Sequence, residues 1–364
     1  MTLYFDSSYV AKCYLNDEDS SRVIPDQNGV CAMFGHRQFG SDRESWFLGK
    51  LLKQSEGSVW RMLSALVLVV LGGEGHAAAQ PRVEKNVIYG MYSGLALLMD
   101  VHHPEKSNGC GVIFVAGSGW QARLIYGAVA LKEEQIREWS PALLQAGYTV
   151  FAINHRATPR FHYPAPVDDV QRAIRFVRHH ARQFSIDPGK LGGVGGSSGG
   201  HLIGLAAMLG ASGIADDTDA VNRESAALQC VVLRAAPTDL MKMIGSSAIG
   251  TAAVVSFVGR LPTPNPDDQK VYRAASPIAH VSASSPPVLL LHGDADDTVP
   301  HQQSVAMEAA LRGINVPVKL VRVPGGAHGP NFGTGGKPHP QFPEILNETV
   351  LWLDRHLRAV PAAK

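Results

Sequence analysis

Short uninterrupted apolar runs recur from about residue 85 onward and constrain the fold of this chain more than any other feature. Strands that are apolar on both faces are typical of a parallel sheet covered by helices on both sides. Such runs occupy residues 112–115, 148–153, 231–233, 288–291 and 318–323. Only the last contains charged residues, Lys319 and Arg322.

Amphipathic segments between these runs predict helices. Residues 168–183 and 342–357 carry an apolar residue at every third or fourth position. Ser140 followed by Pro141 predicts the start of another helix, because serine caps helices and proline is tolerated at the first position. The alternation predicts a doubly wound, mostly parallel sheet with helices on both faces. Its ligand site is expected at the carboxyl ends of the strands.

A glycine-rich stretch from Leu191 to His201 reads Leu-Gly-Gly-Val-Gly-Gly-Ser-Ser-Gly-Gly-His. An apolar segment that enters Gly-x-Ser-x-Gly before a helical pattern is typical of a nucleophile elbow, where glycines allow a sharp turn to expose the serine. Two registers fit, with Ser197 or Ser198 as nucleophile, and Ser197 is favoured. A flexible turn is the alternative. A phosphate loop would need a Lys-Ser or Lys-Thr ending, which is missing here.

Two downstream loops offer an acid and a base. The apolar run 288–291 leads into a turn that contains three aspartates, and the run 318–323 leads into a glycine-rich loop with His328. Serine, acid and histidine in this chain order are typical of one hydrolase fold. We predict Asp296 as the acid, with Asp294 and Asp297 as rivals. His201 is predicted to pack beside the elbow.

The loop after the run 112–115 reads Ala-Gly-Ser-Gly-Trp. Backbone amides in such a loop can stabilise the negative charge that develops on a carbonyl oxygen. Gly117 and Ser118 are the predicted loop donors. The amide of Ser198, the residue after the nucleophile, is the predicted second source.

Composition limits the possible partners. The 364 residues carry a net charge of only +1 and no long basic run, so neither nucleic acid nor a membrane surface is expected as a partner. The four cysteines match no zinc or CxxC spacing, and we predict no metal and no cofactor. The expected partner is a small-molecule ester, and the sequence leaves the oligomeric state open.

Residues before 81 differ from the rest of the chain. An apolar run at 65–71 is too short to span a bilayer, and Ala-Ala-Ala-Gln follows at 77–80. Residues 62–80 therefore resemble a secretory signal peptide, which predicts a secreted or periplasmic enzyme if Met62 is the natural start and a cytoplasmic one otherwise. A buried strand or helix is the alternative. Residues 1–61 are predicted to be an atypical extension, and 1–23 resemble the start of PIN-domain nucleases.

Residues from about 87 to 357, within the predicted catalytic segment 81–364, resemble a known group of enzymes. The segment 195–201 is similar to the Gly-x-Ser-Ala-Gly-Gly-His motif of α/β-hydrolase carboxylesterases of the hormone-sensitive-lipase-like and xylan/feruloyl-esterase-like groups. Residues 292–300 are similar to their His-Gly-x-x-Asp-x-x-Val-Pro motif. The resemblance implies the α/β-hydrolase fold and a Ser197–Asp296–His328 triad. The loop at 116–120 departs from the groups' His-Gly-Gly-Gly-Trp motif.

The resemblance also bears on the substrate. Residues 240–275 are expected to form a short cap, too small for a lipase lid. The main expectation is hydrolysis of short-chain acyl esters, including acetyl or feruloyl esters of carbohydrates. An exopeptidase of the prolyl-oligopeptidase type and a non-catalytic binding protein of the same fold are alternatives. An RNA-cleaving toxin is a further alternative that rests only on residues 1–23.

Overall fold

A computed structural model describes residues 82–333 and 340–358. The predicted extension 1–61, its PIN-like segment 1–23 and the signal-like segment 62–80 lie outside the described residues. The described residues all belong to the predicted catalytic segment 81–364. None of their helices is long and apolar enough to cross a membrane.

Eight strands form one sheet in the order β1-β2-β4-β3-β5-β6-β7-β8. They are β1 Val83–Tyr92, β2 Leu95–His102, β3 Gly111–Val115, β4 Thr149–Ile153, β5 Leu191–Gly196, β6 Cys230–Arg234, β7 Val288–Gly293 and β8 Val318–Val323. β1 pairs antiparallel with β2 and β2 antiparallel with β4, and all other pairs are parallel. From β3 the chain continues to β4 on one side and to β5 on the other. This change of direction opens a crevice beyond the carboxyl ends of β3 and β5.

Eight α-helices accompany the sheet in the described ranges. They are α1 Ile136–Gln145, α2 Ala165–His179, α3 Ser198–Leu209, α4 Leu240–Met243, α5 Ala248–Val258, α6 Pro266–Ala274, α7 Gln302–Arg312 and α8 Phe342–Leu353. Short 3-10 turns occupy Leu131–Glu133, Ala220–Arg223 and Pro277–His280, and a π-helical turn, Asp354–Arg358, follows α8. The cap predicted at 240–275 is formed by α4, α5 and α6.

The sheet separates two hydrophobic cores. Alternate side chains of each central strand enter opposite cores; in β3, for example, Ile113 enters one and Phe114 the other. Helices α2, α3 and α7 pack on the first face, and α1 and α8 pack on the second. Both faces are covered, so the central strands are apolar throughout, as the sequence predicts.

The predicted helix start at Ser140 and Pro141 is wrong. Helix α1 begins at Ile136, and Pro141 lies inside it. Three buried residues, Ile136, Trp139 and Leu143, lie three and four positions apart, so they share the face that packs on the sheet. The burial of this face outweighs the backbone hydrogen bond that Pro141 cannot form.

Candidate active site

The glycine-rich stretch forms a sharp turn between β5 and α3. Ser197 has φ 52° and ψ −124°, and its N–H donates to the Arg234 carbonyl oxygen at 2.7 Å. A Cβ on Gly199 would lie 2.1 Å from the Val115 carbonyl oxygen, and one on Gly195 would lie 2.5 Å from the Gly199 carbonyl oxygen. Only glycine fits at these two positions, which is why the turn can bring Ser197 to the rim of the sheet.

Three predicted site residues meet in one hydrogen-bonded chain. The Ser197 Oγ lies 2.9 Å from His328 Nε2, and His328 Nδ1 lies 2.8 Å from Asp296 Oδ2. An ionised carboxylate only accepts, so the Nδ1–H of His328 donates to Asp296. In a neutral imidazole Nε2 is then the acceptor for the Ser197 hydroxyl. Loops after β5, β7 and β8 supply the three side chains.

Asp296 is held as an ionised acceptor. Its Oδ1 accepts from the N–H groups of Thr298 at 3.0 Å and Val299 at 2.8 Å. Burial alone would raise the pKa of this carboxyl, but hydrogen bonds from His292 and His328, the charge of His328 and the Val299 N–H together hold the pKa well below its usual range. The carboxylate therefore stays charged at neutral pH.

The two rival aspartates contact other groups. Asp294 accepts from Arg322 and from the Gly325 N–H at 2.6 Å, and Asp297 accepts from the Thr298 hydroxyl at 3.1 Å. Asp296 is therefore the aspartate of this turn whose carboxylate is bonded to His328.

A second histidine, the first residue of the 292–300 motif, supports Asp296. His292, near the end of β7, has its Nε2 at 2.9 Å from the Val299 carbonyl oxygen and at 3.3 Å from Asp296 Oδ2. Since both neighbours are acceptors, Nε2 carries the proton. Its Nδ1 then accepts from the Ser304 hydroxyl at 2.7 Å. The fully buried His292 ring thus fixes the acid turn to α7.

The loop after β3 lies against the elbow. The Ser118 N–H donates to Ser198 Oγ at 2.9 Å. The Gly117 N–H donates to Gln135 Oε1 at 3.3 Å, and Gln135 Nε2 donates back to the Gly117 carbonyl oxygen at 3.2 Å. All three predicted donor residues therefore lie beside Ser197. Both loop amides have an acceptor within the protein.

Gln135 is a site residue that the sequence analysis missed. It holds both polar groups of Gly117 and lies 18 residues away in sequence. Its φ of 58° places it in the left-handed region, and α1 begins at the next residue. No local pattern around Gln135 marks this contact, because the contact depends on how α1 docks.

Trp120 joins the loop after β3 to the elbow helix and the cap. Its indole N–H donates to His201 Nδ1 at 3.1 Å, so His201 donates through Nε2 to the Ala275 carbonyl oxygen at 2.8 Å. Burial lowers the pKa of His201 to about 4, which keeps this ring neutral. Phe257 of α5 stacks on Trp120 with ring centroids 4.7 Å apart. His201 therefore packs beside the elbow, as the sequence predicts.

A cavity of about 630 Å³ lies above Ser197. The cap contributes an apolar part of its wall, formed by Met243, Ile249, Ala252 and Ala253. Ser197, His328 and Gln135 also line this cavity, together with the loop 117–121. In residues 82–333 and 340–358, no group of three or more His, Cys, Asp and Glu side chains could hold a metal ion.

Comparison with known proteins assigns the family. The BD-FAE family model matches residues 99–311, which is more than half of the chain. The chain belongs to the BD-FAE family. The matched range contains Ser197 and Asp296 and ends before His328. The BD-FAE match, together with the relatives below, confirms the resemblance to α/β-hydrolase esterases.

The named relatives include esterases and a peptidase-type enzyme. Esterase LipQ of Mycobacterium tuberculosis is 32% identical over 205 residues, which cover 55% of this chain and 45% of LipQ. Acylamino-acid-releasing enzyme 1 of Oryza sativa subsp. japonica is 26% identical over 232 residues, covering 59% of this chain and 27% of that enzyme. The chain spans about half the length of the curated esterases that it matches.

A solved structure supports the same fold. The truncated form of a carbohydrate esterase from gut microbiota superposes with a TM-score of 0.62 at 27% identity, over 76% of this chain and 96% of the other. With the mostly parallel eight-stranded sheet and its flanking helices, this confirms the predicted α/β-hydrolase fold.

Proposed function

We propose that this BD-FAE protein is a serine carboxylesterase that hydrolyses short-chain acyl esters through an acyl-enzyme intermediate. The observation that carries the proposal is the hydrogen-bonded chain Ser197–His328–Asp296, in which Ser197 and His328 line a cavity with an apolar wall. The family match and the esterase relatives support the same chemistry.

The geometry supports a two-step reaction. His328 Nε2 takes the proton from Ser197 as Oγ attacks the carbonyl carbon of the ester. The tetrahedral intermediate then expels the alcohol, which receives the same proton from His328. A water molecule then attacks the acyl-enzyme while His328 takes its proton, and His328 returns this proton to Ser197 as the carboxylic acid leaves. Asp296 stabilises the imidazolium and fixes its tautomer, and His328 has to be neutral at the start of each step.

The developing oxyanion needs donors near Ser197. We assign the Ser198 N–H, at the start of α3, as one donor, because the first N–H groups of a helix have no partner within the helix. Ser118 is the proposed loop donor: its present acceptor is the neutral Ser198 hydroxyl, and an oxyanion is a stronger acceptor. Gly117 remains a candidate whose longer bond to Gln135 would have to open.

The cavity favours small acyl groups. Gly119, Ala252 and Ala253, which have small side chains or none, line the cavity on the side of α5. The neighbouring structure named a carbohydrate esterase makes acetyl esters of carbohydrates the first natural substrates to test. Feruloyl esters of carbohydrates, whose acyl group is larger, test the size limit.

A panel of p-nitrophenyl esters of graded chain length, run beside aminoacyl anilides, tests this function. We expect the highest kcat/KM on acetate to butyrate and far lower values on anilides. Because an acylamino-acid-releasing enzyme is among the relatives, a serine exopeptidase is the second candidate. A higher kcat/KM on anilides would establish that alternative. Absence of turnover on both, with no covalent labelling of Ser197, would indicate a non-catalytic binding protein.

We also propose that residues 62–80 act as an export signal, which would place the mature enzyme outside the cytoplasm. Support comes from the apolar run at 65–71 and the small residues at 77–79. Mass spectrometry of the protein from cells tests this. A mature N-terminus near Gln80 is expected, and a chain that retains residues 62–80 in the cytoplasm would overturn it.

A further inference from the structure

A buried arginine beside the nucleophile lines the active-site cavity. Arg234 is the last residue of β6 and is only 2% exposed. Its carbonyl oxygen accepts the N–H of Ser197. Among residues 82–333 and 340–358, no carboxylate forms an ion pair with its guanidinium, and the nearest opposing charges, Asp296 and Glu138, act on it only at longer range.

The guanidinium contacts both sides of the Ser197–His328 pair. Its Nη1 donates to the carbonyl oxygens of His328 and Gly329, each at 3.0 Å. On the other side it lies against Gly196, where a Cβ would be 2.5 Å from Nη2. The planar guanidinium therefore lies between Gly196, which precedes Ser197, and the backbone of His328 and Gly329.

This arrangement is costly for the fold. Burial lowers the pKa of Arg234 to about 10, so the side chain keeps its charge at neutral pH. The Nε–H is buried and has no acceptor in the part of the chain that the structure describes. An unpaired buried cation generally destabilises a protein relative to an apolar side chain of similar volume. The next residue, Ala235, has φ 46°, a strained backbone conformation of the kind that clusters at functional sites.

We propose that Arg234 is a positioning residue that sets the distance between Ser197 and His328 by holding the His328–Gly329 backbone against the elbow. This inference rests on the proposed esterase function. Arg234 does not touch the reacting atoms; it acts through the loop that carries the imidazole. A neutral side chain in its place cannot donate to both carbonyl groups, so the loop would relax away from Ser197.

Substitution of Arg234 separates this role from a purely structural one. Arg234→Met and Arg234→Ala are expected to lower kcat for p-nitrophenyl acetate on the order of 10²-fold, because small misplacements of a catalytic group have effects of this size. KM should change little. Arg234→Met should unfold at an equal or higher temperature than the wild type, since it removes a buried charge. A fall in both kcat and unfolding temperature would contradict the proposal.

Chemical rescue provides a second readout. Added guanidinium ion, at concentrations that do not unfold the protein, should restore part of the kcat of Arg234→Ala, because the vacated space opens into the active-site cavity. Arg312→Ala, which removes an exposed arginine of α7, should keep wild-type kcat and gain nothing from the ion. If ammonium ion restores kcat equally well, the planar guanidinium that donates to both carbonyl oxygens is not required, and the proposal is overturned.

A double-mutant cycle tests the contact with Gly196. Gly196→Ala should displace the guanidinium and lower kcat about tenfold or more in the wild type. In the Arg234→Ala background the same change should cost much less, since the clash is gone. Equal costs in both backgrounds would show that Gly196 acts independently of Arg234.

The outcomes also distinguish this proposal from the esterase assignment. If the wild type hydrolyses no ester, the function itself is wrong. If the wild type is active and Arg234→Ala keeps its kcat, or changes only KM, the esterase assignment stands and the positioning role is overturned.

Discussion

The floor and the cap of the cavity are built in different ways. The floor consists of Ser197, Asp296 and His328 with the loops that carry them, and charged or polar hydrogen bonds of 2.8–3.0 Å fix its side chains. The cap, α4–α6, presents apolar side chains and is tied to the floor at separate points, including the Trp120–Phe257 stack and the bond from Ser247 Oγ to the Thr298 carbonyl oxygen. From this difference we expect the floor to determine the chemistry and the cap to determine which acyl group is accepted.

The largest effect is expected at the nucleophile. Ser197→Ala should lower kcat by about 10⁴ to 10⁶, because no other group can form the acyl-enzyme. The matched control, Ser198→Ala, should keep much of the activity, since Ser198 contributes its backbone N–H. Steady-state kinetics on p-nitrophenyl acetate measure both. An active Ser197→Ala with an inactive Ser198→Ala would reverse the register of the elbow.

The second-largest loss of kcat is expected on substitution of Asp296, the acid. Asp296→Asn keeps the shape of the side chain but favours the wrong imidazole tautomer, and we expect kcat to fall by about 10⁴. The neighbouring Asp297→Asn should stay within a few-fold of the wild type, because Asp297 bonds only to Thr298 in the described structure. Equal losses in the two variants would show that the turn as a whole, rather than the bond to His328, is required.

A substitution in the cap should change the selectivity between acyl groups far more than it changes kcat on acetate. Ala253→Leu adds three carbon atoms to the cavity wall beside Gly119. We expect the ratio of kcat/KM for butyrate over acetate to fall about tenfold or more, with kcat on acetate nearly unchanged. Ala309→Leu, on an exposed face of α7, is the matched control. An equal loss of kcat on both esters would show that the cap also governs the chemistry.

The smallest effect is expected in the pH dependence of thermal stability. The folded-state pKa of Asp296 is lowered, so its ionised form stabilises the protein above the unfolded pKa of about 4, and this stabilisation is lost as pH falls through the folded value. The difference in Tm between wild type and Asp296→Asn should therefore narrow by a few degrees from about pH 5 to about pH 2. A difference that widens on acidification would mean that the folded pKa is raised.

The parts of the site that follow from local sterics could be predicted from the sequence. Gly195 is required by a contact within the turn and Gly199 by the close approach of β3, and both glycines belong to the Gly-x-Ser-x-Gly motif. The motif limits the nucleophile to Ser197 or Ser198, and the resemblance to carboxylesterases favours Ser197. Gln135 and Arg234 could not be found in this way. Gln135 bonds to Gly117, and Arg234 bonds to His328, which lie far from them in the sequence. No sequence pattern around Gln135 or Arg234 marks these contacts.

The fold, like the site, has elements that the sequence predicts and elements that it does not. Central strands buried on both faces are continuous apolar runs and were predicted. β1 and β2 at the sheet edge were not. β1 is exposed along most of its length, so neither a continuous run nor a clean alternation marks it. The pair Ser140–Pro141 imitates a helix start and places α1 five residues too late, whereas the helix and its buried face begin at Ile136.

Active-site labelling with a fluorophosphonate, followed by peptide mapping, identifies the nucleophile itself. We expect one adduct per chain, on Ser197 Oγ, with ester hydrolysis lost in parallel with labelling and no adduct in Ser197→Ala. An adduct on another serine that abolishes hydrolysis, or complete modification of Ser197 with hydrolysis preserved, would contradict this assignment of the nucleophile.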